Sequence, residues 1–369
     1  MQASGSTANS SPRWRLSASL IIVTPEAAAG EDYNVLMLKR TDATAMATNQ
    51  TVFPGGLLEV EADESVAWLQ YFEEFGVFQA SLRGLVLISE QRPTILAPQG
   101  TGCYDRFFKR SKIWAREITL RLAALRECFE EVGVLLCRNR AQVHQTAAFA
   151  QAAQLDADFL KTWQARVHSN PSDFLALCRH LEVVPDLWAL HEWSAWASPA
   201  FVKNGYETVF YMVFLQSQPS LLIEPTEVKE GLWRSPLELL RLHQNQELFL
   251  LPPQIYELGR LCSINDFQKL CHFASQRGQL GCTMFMPVGY VCSDGMVFAL
   301  PGDDLYVPEP HLVTKPIEFS GTVAELNGRS KHLHRYESTT ATDFQIHINI
   351  PTLNGHLVPK QLPNEKCKL

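Results

Sequence analysis

The sequence predicts an α/β protein in which a mixed β-sheet lies between layers of helices, and three observations carry this prediction. Aliphatic residues dominate segments 16–23 and 34–39, as is typical of buried strands. An amphipathic helical pattern ends at Gly133 and a strand-like apolar run follows it directly. The chain later returns to strands at 191–197 and 206–215, so strands and helices alternate as a layered α/β fold requires.

The composition is that of an ordinary globular chain with an acidic balance. The 369 residues include 46% hydrophobic residues and carry a formal net charge of -7. An acidic chain does not favour binding to nucleic acid or anionic membranes, and no apolar run is long enough to cross a bilayer. We therefore expect this protein to bind neither nucleic acid nor membranes. A phosphate-binding site in such an acidic chain would need metal ions or local basic residues.

After the first two strands the chain reaches a glycine turn and then an insertion. Pro54, Gly55 and Gly56 form a turn in which missing side chains allow the backbone to approach a ligand. From about residue 62 to 112 the sequence predicts an aromatic helix, a strand-like run at 82–88 and a Gly/Pro-rich loop. We interpret this region as an insertion into the surrounding domain.

The acidic helix after the insertion carries the strongest functional signal. In the run RECFEEVGV, Glu127, Glu130 and Glu131 are spaced i, i+3 and i+4, so their carboxylates crowd onto one helix face. Three like charges repel each other unless a hard cation such as Mg²⁺ or Mn²⁺ binds their oxygens. Arg126 lies one turn before Glu130 and can pair with these acids. The sequence thus predicts a divalent metal site on this helix.

Beyond this helix the sequence predicts more helices, further strands and an appended region. Residues 142–190 are mostly helical by pattern, and a strand at 228–233 leads through Ser235-Pro236 into another helix. A helical pair and strand-like runs then follow, which we interpret as a C-terminal α+β extension at 246–350.

Both ends of the chain predict tails. We expect a disordered tail at 1–12 and a second tail at 351–369. The last three residues, Cys367, Lys368 and Leu369, are similar to the Ser-Lys-Leu type of peroxisomal targeting signal. We therefore expect a peroxisomal location, with the peroxisomal import receptor as a partner of this tripeptide.

The runs VFPGG and RECFEEVGV together resemble the Nudix box, which has a glycine, a glutamate and then Arg-Glu-x-x-Glu-Glu-x-Gly. The box is usually continuous, whereas about 55 extra residues separate its halves here, a length that a surface loop tolerates. With its peroxisome-like ending, the split box resembles the peroxisomal acyl-coenzyme A diphosphatase branch of the Nudix hydrolases. The resemblance covers nearly the whole chain and implies a Nudix-type α/β/α sandwich over residues 13–245.

The resemblance also implies roles for individual residues. Glu127, Glu130 and Glu131 would bind the metal together with the carbonyl oxygen of Gly55, while Arg126 orients the carboxylates. Arg126, Glu130 and Glu131 would then form the catalytic set, with Glu130 as a candidate for taking a proton from water.

A glutamate from a late loop often completes the metal site in this family. We choose Glu227 over Glu230 for this role, although either could instead be a surface charge.

The segment LMLKRTDATAMATNQTVFPGG has the spacing of a coenzyme A signature seen in some Nudix hydrolases. Ala45 and Asn49 stand where that signature has an arginine and a glycine, so coenzyme A specificity does not transfer directly. Charged pairs at strand ends are also commonly just solvated. By resemblance, the substrate-binding candidates are Lys39, Arg40, Phe53, Gly55 and Gly56.

A rival copy of the box ends in LQYFEEFGV, where Gly55, Glu61, Glu73, Glu74 and Gly76 have the spacing of an uninterrupted box. Its Arg-Glu position is occupied by Leu69 and Gln70, so it lacks the arginine and one metal carboxylate. We therefore favour the later helix and expect Glu73 and Glu74 to belong to a solvated face.

The predicted activity is metal-dependent hydrolysis of a diphosphate. The resemblance implies that the substrate is coenzyme A or an acyl-coenzyme A, cleaved to adenosine 3′,5′-bisphosphate and the corresponding 4′-phosphopantetheine. Other nucleoside diphosphate derivatives, such as ADP-ribose, a dinucleotide or an RNA cap, remain alternatives. A nucleotide-binding module without turnover is a further alternative, against which the complete set of charged positions argues.

Overall fold

The computed structural model describes residues 14–26, 33–87, 89, 92–97, 114–340 and 343–361. The tail expected at 1–12 and the tripeptide at 367–369 lie outside the described residues, and so does much of the insertion's second half. The expectations about them therefore stay predictions.

The described strands and helices follow one another in a long alternating order. The strands are β1 (Arg15–Pro25), β2 (Tyr33–Arg40), β3 (Gln50–Val52), β4 (Gly55–Leu57), β5 (Cys137–Arg138), β6 (Val184–Pro185), β7 (His191–Ala197), β8 (Tyr206–Phe214), β9 (Val228–Arg234), β10 (Phe249–Leu250), β11 (Met284–Phe285), β12 (Val288–Val291), β13 (Met296–Ala299), β14 (Ile317–Glu318), β15 (His334–Thr340) and β16 (Asp343–Ile348). The helices are α1 (Val60–Asp63), α2 (Ala67–Glu74), α3 (Gln79–Leu82), α4 (Arg116–Val132), α5 (Ala157–Ser169), α6 (Asp173–Leu181), α7 (Pro236–Gln244), α8 (Pro252–Leu261), α9 (Phe267–Gly278) and α10 (Val323–Asn327). Within this part of the chain, no helix combines the length and the apolar character needed to cross a bilayer.

A nine-stranded mixed sheet forms the centre of the molecule. Seven of its strands run in the order β10-β3-β2-β1-β8-β7-β11. The other two lie outside this order, where β4 pairs with β1 and β9 pairs with β2. The central strand β1 pairs in parallel with β8 from Arg15 to Val23, and antiparallel with β2 and β4. The mixed sheet predicted from the sequence is confirmed.

Helices cover both faces of this sheet. Along β1, Ala18, Leu20 and Ile22 face α4 together with the insertion helices and α5 and α6. The alternate residues Ile21 and Val23 face a second core built with α7, α8 and α9. The architecture is therefore the α/β/α sandwich that the resemblance implied.

The acidic helix α4 is fixed at its C-terminal end by two devices. Gly133 adopts a left-handed conformation with φ of 70°, and its N–H donates to the carbonyl of Phe129 at 2.9 Å. The segment before β9 then satisfies the last carbonyls, because Leu222 N–H donates to Val132 and Glu224 N–H donates to Glu131. These bonds hold the segment before β9, which includes the loop at Glu227, against the C-terminal end of the acidic helix.

The insertion packs onto the helical segment through aromatic residues. In α2, Trp68 lies 5.9 Å from Phe174 between ring centroids, and Tyr71 donates its hydroxyl to the carbonyls of Cys178 and Val183. Over its described residues 82–87, the strand predicted at 82–88 is wrong, since Leu82 ends α3 and a 3₁₀ turn follows at Arg83–Leu85. A short apolar run without alternation does not distinguish a strand from a helical turn.

The boundary predicted at residue 246 does not divide the structure. β10 and β11 belong to the large sheet, and α8 and α9 build its second core. The Pro252-Pro253 pair begins helix α8 rather than a new domain, as proline in a first helical turn commonly does. The separate C-terminal sheet, in the order β14-β12-β13-β15-β16, starts only at Val288.

The tail predicted from residue 351 also needs correction over its first part. Lys360 N–H donates to the carbonyl of Gly259 at 2.8 Å, and Ser263 donates its hydroxyl to the carbonyl of Val358 at 2.7 Å. Residues 358–360 therefore lie against the end of α8, and the preceding turn contacts Trp193 and Thr283.

Candidate active site

Arg126 is the organising side chain of the acidic helix. Its side chain is only 1% exposed, and its guanidinium donates to both carboxylate oxygens of Asp63 at 2.9 Å. It also donates to Glu127 at 2.9 Å and to Glu130 at 2.7 Å. A fifth bond reaches the carbonyl of Leu57 at 2.8 Å. One buried cation thus holds three carboxylates and the strand that follows the glycine turn.

The two halves of the split box meet at the glycine turn. The N–H of Gly55 donates to Oε2 of Glu131 at 2.8 Å. Gly55 has a φ of 146°, and a Cβ at this position would lie 2.6 Å from Cα of Ser19 on β1. Glycine is therefore required for β4 to lie this close to β1 while offering its N–H to the acidic helix. The structure shows this N–H contact, whereas the metal role assigned to the Gly55 carbonyl stays a prediction.

Gly56 provides the space into which the first acid of the helix points. A Cβ built on Gly56 would lie 2.7 Å from Oε1 of Glu127, and closer still to its Cδ. The absence of a side chain is therefore what lets Glu127 reach the turn.

Substitution of Gly56 by alanine should reduce activity without unfolding the protein. The new methyl group would displace the Glu127 carboxylate, and a displacement near 1 Å lowers kcat/KM by about 10²-fold. The matched control is Gly84→Ala in the insertion, where a Cβ would meet nothing within 4 Å. Steady-state hydrolysis and thermal melts of both variants test this expectation, and equal kcat/KM values for the two would contradict it.

The acids of this site share a buried, strongly negative environment. Burial raises the pKa of Glu127 and of Glu130 to about 7. Burial and the neighbouring Glu127 charge raise the pKa of Glu131 well above its ordinary value. The Glu227 charge acts in the same direction on Glu130 and Glu131. The site therefore holds more negative charge than its arginine neutralises.

The donor set suits a hard divalent cation. Around Arg126, the side chains of Asp63, Glu127, Glu130 and Glu131 offer carboxylate oxygen, the ligand type that Mg²⁺ and Mn²⁺ prefer. No three acidic, histidine or cysteine side chains of the described residues converge on one ion-sized point, however. The reason is visible in the contacts, since Glu127 and Glu130 turn towards Arg126 and Glu131 turns towards Gly55 N–H. Metal binding would need these carboxylates to rotate away from their present partners.

Removal of divalent metal should destabilise the protein more at higher pH. Because Glu127 and Glu130 have pKa values raised from 4.5 to about 7, the folded metal-free state binds their protons more tightly than the unfolded chain does. Its stability therefore falls as pH rises through this range. Mg²⁺ competes with the protons, so the Mg²⁺-dependent rise in Tm should be larger at about pH 8 than at about pH 6. Melts in Mg²⁺ and in EDTA measure it, and equal rises would speak against metal binding by these acids.

Glu227 lies on a loop that is fastened from both sides. The buried Glu224 accepts hydrogen bonds at Oε2 from Thr226 N–H, the Thr226 hydroxyl and Glu227 N–H, at 2.6–3.0 Å. The carbonyl of Glu227 accepts from Thr41 N–H at 2.9 Å and from the Thr44 hydroxyl at 3.2 Å. This clamp places the Glu227 charge beside Glu130 and Glu131, as their pKa shifts record. Glu230 is exposed on β9 instead, which favours Glu227 as the late-loop acid.

The predicted substrate-binding residues separate onto two faces of the sheet. Arg40 follows Leu36 and Leu38 on the face of the sheet that α4 covers. Its positive charge opposes the rise in the pKa of Glu131 but does not cancel it. Lys39 follows Val35 and Met37 onto the opposite face. Of this pair, only Arg40 lies on the face of the sheet that carries the acidic helix.

The assignment of Phe53 to substrate binding needs correction. Its side chain is 2% exposed and lies in the second core, where its ring meets Phe210 edge-on at 6.2 Å. Phe53 matches the coenzyme A signature by position, but its side chain is part of the hydrophobic core. Its contribution to the site is to hold the chain that enters the glycine turn.

The rival acidic run lies on the surface. Glu73 and Glu74 are exposed at the end of α2, and Glu74 pairs with Arg179 at 2.9 Å. Like α4, α2 is followed by a glycine with positive φ, Gly76, which explains the likeness of the two runs. The buried face of α2 is aromatic, so its acids point away from the core.

Sequence reasoning missed three residues that support the site. Asp63 is buried and binds Arg126, yet it falls in the range treated as insertion. The family spacing points to Glu61, which is exposed. Gln164 of α5 donates to the carbonyls of Glu130 and Leu222, and Glu224 holds the late loop. The acid-rich stretch at residues 59–64, just after the glycine turn, indicates that one of its acids could pair with Arg126, but it does not identify which one. Nothing in the sequence indicates the role of Gln164.

Comparisons with known proteins cover almost the whole chain. The model of the NUDT19 Nudix domain matches residues 14–261, and the model of the NUDT19 C-terminal domain matches residues 289–349. The acyl-coenzyme A diphosphatase NUDT19 of Xenopus laevis is 34% identical over 342 residues, covering 90% of this chain and 88% of that protein. The human acyl-coenzyme A diphosphatase NUDT19 is 30% identical over 376 residues, covering 97% of each protein.

A solved structure of a Nudix hydrolase from Alicyclobacillus acidocaldarius is 19% identical, covers 71% of this chain and 96% of its own, and gives a TM-score of 0.49. The family assignment rests instead on the matched models and on the two relatives, because these span both the sandwich and the C-terminal sheet. Hydrolases of the Nudix class generally use divalent metal ions. The chain belongs to the NUDT19 family of Nudix hydrolases.

Proposed function

We propose that this protein is a diphosphatase that uses Mg²⁺ or Mn²⁺ to hydrolyse coenzyme A and acyl-coenzyme A. The products would be adenosine 3′,5′-bisphosphate and 4′-phosphopantetheine or its acyl form. The relatives that carry the name acyl-coenzyme A diphosphatase support the substrate class. The observation that carries the chemistry is the meeting of the two box halves, with Gly55 N–H on Glu131 and Arg126 on Glu127 and Glu130.

The residues of the site divide the work of hydrolysis. A bound divalent metal would neutralise the diphosphate's negative charge and activate water. Glu127, Glu130, Glu131 and Glu227 are the carboxylates that would hold it. Arg40, on the same face, is placed to meet substrate phosphate as a charge-assisted donor.

Glu130 is the residue we assign to proton transfer. Burial raises its pKa to about 7, so its carboxylate accepts a proton readily near neutral pH. Arg126 donates to its Oε1 at 2.7 Å, which keeps this carboxyl group beside the other acids of the site. The carbonyl of Glu130 is itself held by the buried amide of Gln164, so the helix end cannot shift freely.

Hydrolysis in ¹⁸O water tests substrate and chemistry together. Purified protein with Mg²⁺ would be offered coenzyme A, an acyl-coenzyme A, ADP-ribose, a dinucleotide and capped RNA. We expect coenzyme A compounds to be preferred, and mass spectrometry of the products shows which phosphorus receives the label. A preference for ADP-ribose would overturn the proposed substrate. Binding of all compounds without turnover would instead indicate a nucleotide-binding module.

We also propose a peroxisomal location, with the import receptor reading Cys367, Lys368 and Leu369. This rests on the sequence of the tripeptide. Fluorescent protein fused ahead of the chain should accumulate in peroxisomes, and deletion of the three residues should release it. Peroxisomal import of the truncated chain would overturn the assignment.

A further inference from the structure

A small cavity that includes none of the site residues described above lies beside the turn at residues 353–356. It is bordered by β7, α8, α9, the start of β11 and the turn at residues 353–356. Its volume of about 10 Å³ leaves room for one water-sized species. Ser194, Arg260, Arg277 and His356 line it, and each is at most 8% exposed.

Each of these four side chains has an unsatisfied polar atom. Among the described residues, no hydrogen-bond partner reaches Oγ of Ser194, Nε of Arg260, Nε of Arg277 or Nε2 of His356. Buried polar atoms without partners are rare, and four around one cavity point to a missing bound species.

All four unsatisfied atoms can act as donors. The two arginine Nε atoms always carry hydrogen, and the Ser194 hydroxyl can rotate to donate. Burial, with the charges of Arg260 and Arg277, holds the pKa of His356 well below its usual range, so the ring is neutral. Its Nδ1 accepts the N–H of Leu357 at 2.7 Å, which places the ring hydrogen on Nε2.

The charges around the cavity do not balance. Glu257 accepts from Arg260 at 3.1 Å and also from the indoles of Trp193 and Trp196. Among the described residues no carboxylate pairs with Arg277, whose guanidinium donates instead to the carbonyls of Gly281, Glu192 and Trp193.

The nearby acidic groups do not supply the missing negative charge. The Glu192 carboxylate is already bound by both terminal nitrogens of Arg92, at 2.6 and 2.8 Å, and Arg92 also donates to Glu117 at 3.2 Å. Burial keeps the pKa of the Cys282 thiol well above its ordinary value, so no thiolate forms beside Arg277. Arg121 also acts on Glu192 and Glu117 through its charge. Four arginines therefore meet three carboxylates in this cluster of described residues, and one positive charge is left over: the arginines are Arg92, Arg121, Arg260 and Arg277, and the carboxylates are Glu117, Glu192 and Glu257.

Water satisfies these groups incompletely, because one water molecule accepts at most two hydrogen bonds from the four donors and carries no charge. A monatomic anion accepts from every donor and also neutralises the buried positive charge. We propose that this cavity binds one halide ion, chloride in the cell, through Ser194, Arg260, Arg277 and His356. The ion would fasten the turn at 353–356 to the sandwich.

Halide-dependent stability and bromide crystallography test the site. Thermal melts of the full chain would be run in sodium chloride, bromide and gluconate at matched ionic strength. We expect Tm to rise and saturate with halide but not with gluconate. Ser194→Ala removes one donor and should raise the half-saturating halide concentration about tenfold, the scale of one charged hydrogen bond. The control Ser17→Ala removes a buried hydroxyl that pairs with Thr208 at 2.6 Å elsewhere on the sheet, and should leave the halide dependence unchanged.

Crystals soaked in bromide should show an anomalous peak within reach of the Arg260 and Arg277 Nε atoms. A peak without anomalous signal, together with melts insensitive to halide, would identify a buried water and overturn the proposal. A bromide peak without any effect on Tm would be an adventitious ion and would also overturn it. Neither readout uses hydrolysis, so the result is independent of the proposed function.

Discussion

Replacement of Glu131 by glutamine is expected to lower kcat/KM for coenzyme A hydrolysis by about 10³-fold, the scale of losing one central electrostatic or acid-base group. Glutamine keeps the shape of the side chain and can still accept the Gly55 N–H bond that Glu131 makes at 2.8 Å. The charge is lost, and with it one of the carboxylates available to a divalent cation. Steady-state kinetics over a Mg²⁺ titration measure the effect on both turnover and metal requirement.

Stability should move in the opposite direction from activity in this variant. Burial and the Glu127 charge raise the pKa of Glu131 well above its ordinary value, so the ionised group opposes folding at neutral pH. Without metal, Glu131→Gln should therefore melt no lower than the parent protein and above it at alkaline pH. Loss of activity together with a lower Tm in EDTA would show that Glu131 is a structural residue instead.

Glu74→Gln is the matched control, since the rival run has the same pair of glutamates before a glycine. Glu74 is exposed and pairs only with Arg179, so its replacement should change neither kcat/KM nor Tm measurably. If Glu74→Gln abolished hydrolysis while Glu131→Gln did not, the choice between the two helices would be reversed.

The sequence predicts the acidic helix well because its signal is local. Spacing within one helix places Glu127, Glu130 and Glu131 together, and the left-handed Gly133 ends the helix where expected. The choice against the run at Glu73 and Glu74 also rests on local residues, because Leu69 and Gln70 stand where the Arg-Glu pair of the box would be. Features set by a single element can be predicted from its own residues.

Contacts between distant segments are where prediction from the sequence fails. Asp63 and Arg126 are 63 positions apart, and only the fold brings Asp63, rather than Glu61, to the guanidinium. Phe53 matches a motif by position, but its side chain, between β3 and β4 in the sequence, packs in the second core. Local sequence likewise cannot show that β10 and β11 belong to the large sheet. Their partners, β3 for β10 and β7 for β11, are distant in the sequence.

Replacement of Arg126 by methionine is expected to have the largest effect on stability. Methionine has similar reach but no charge, so Asp63, Glu127 and Glu130 would remain buried without their shared partner. Breaking a buried ion pair from one side costs about 3–5 kcal/mol, and we expect at least this loss in the free energy of unfolding. Urea unfolding in EDTA measures the loss, which should shrink as the acids become protonated at lower pH.

A double-mutant cycle separates the ion pair from simple packing. Asp63→Asn alone should destabilise the protein, since Arg126 donates to both oxygens of this buried carboxylate. In the Arg126→Met background the same change removes an uncompensated buried charge, so it should cost little or should stabilise. Mg²⁺ should recover part of the stability by neutralising Glu127 and Glu130, but not the part that belongs to Asp63. Additive losses in the two backgrounds would mean that Arg126 and Asp63 act independently, and that the guanidinium does not organise the site.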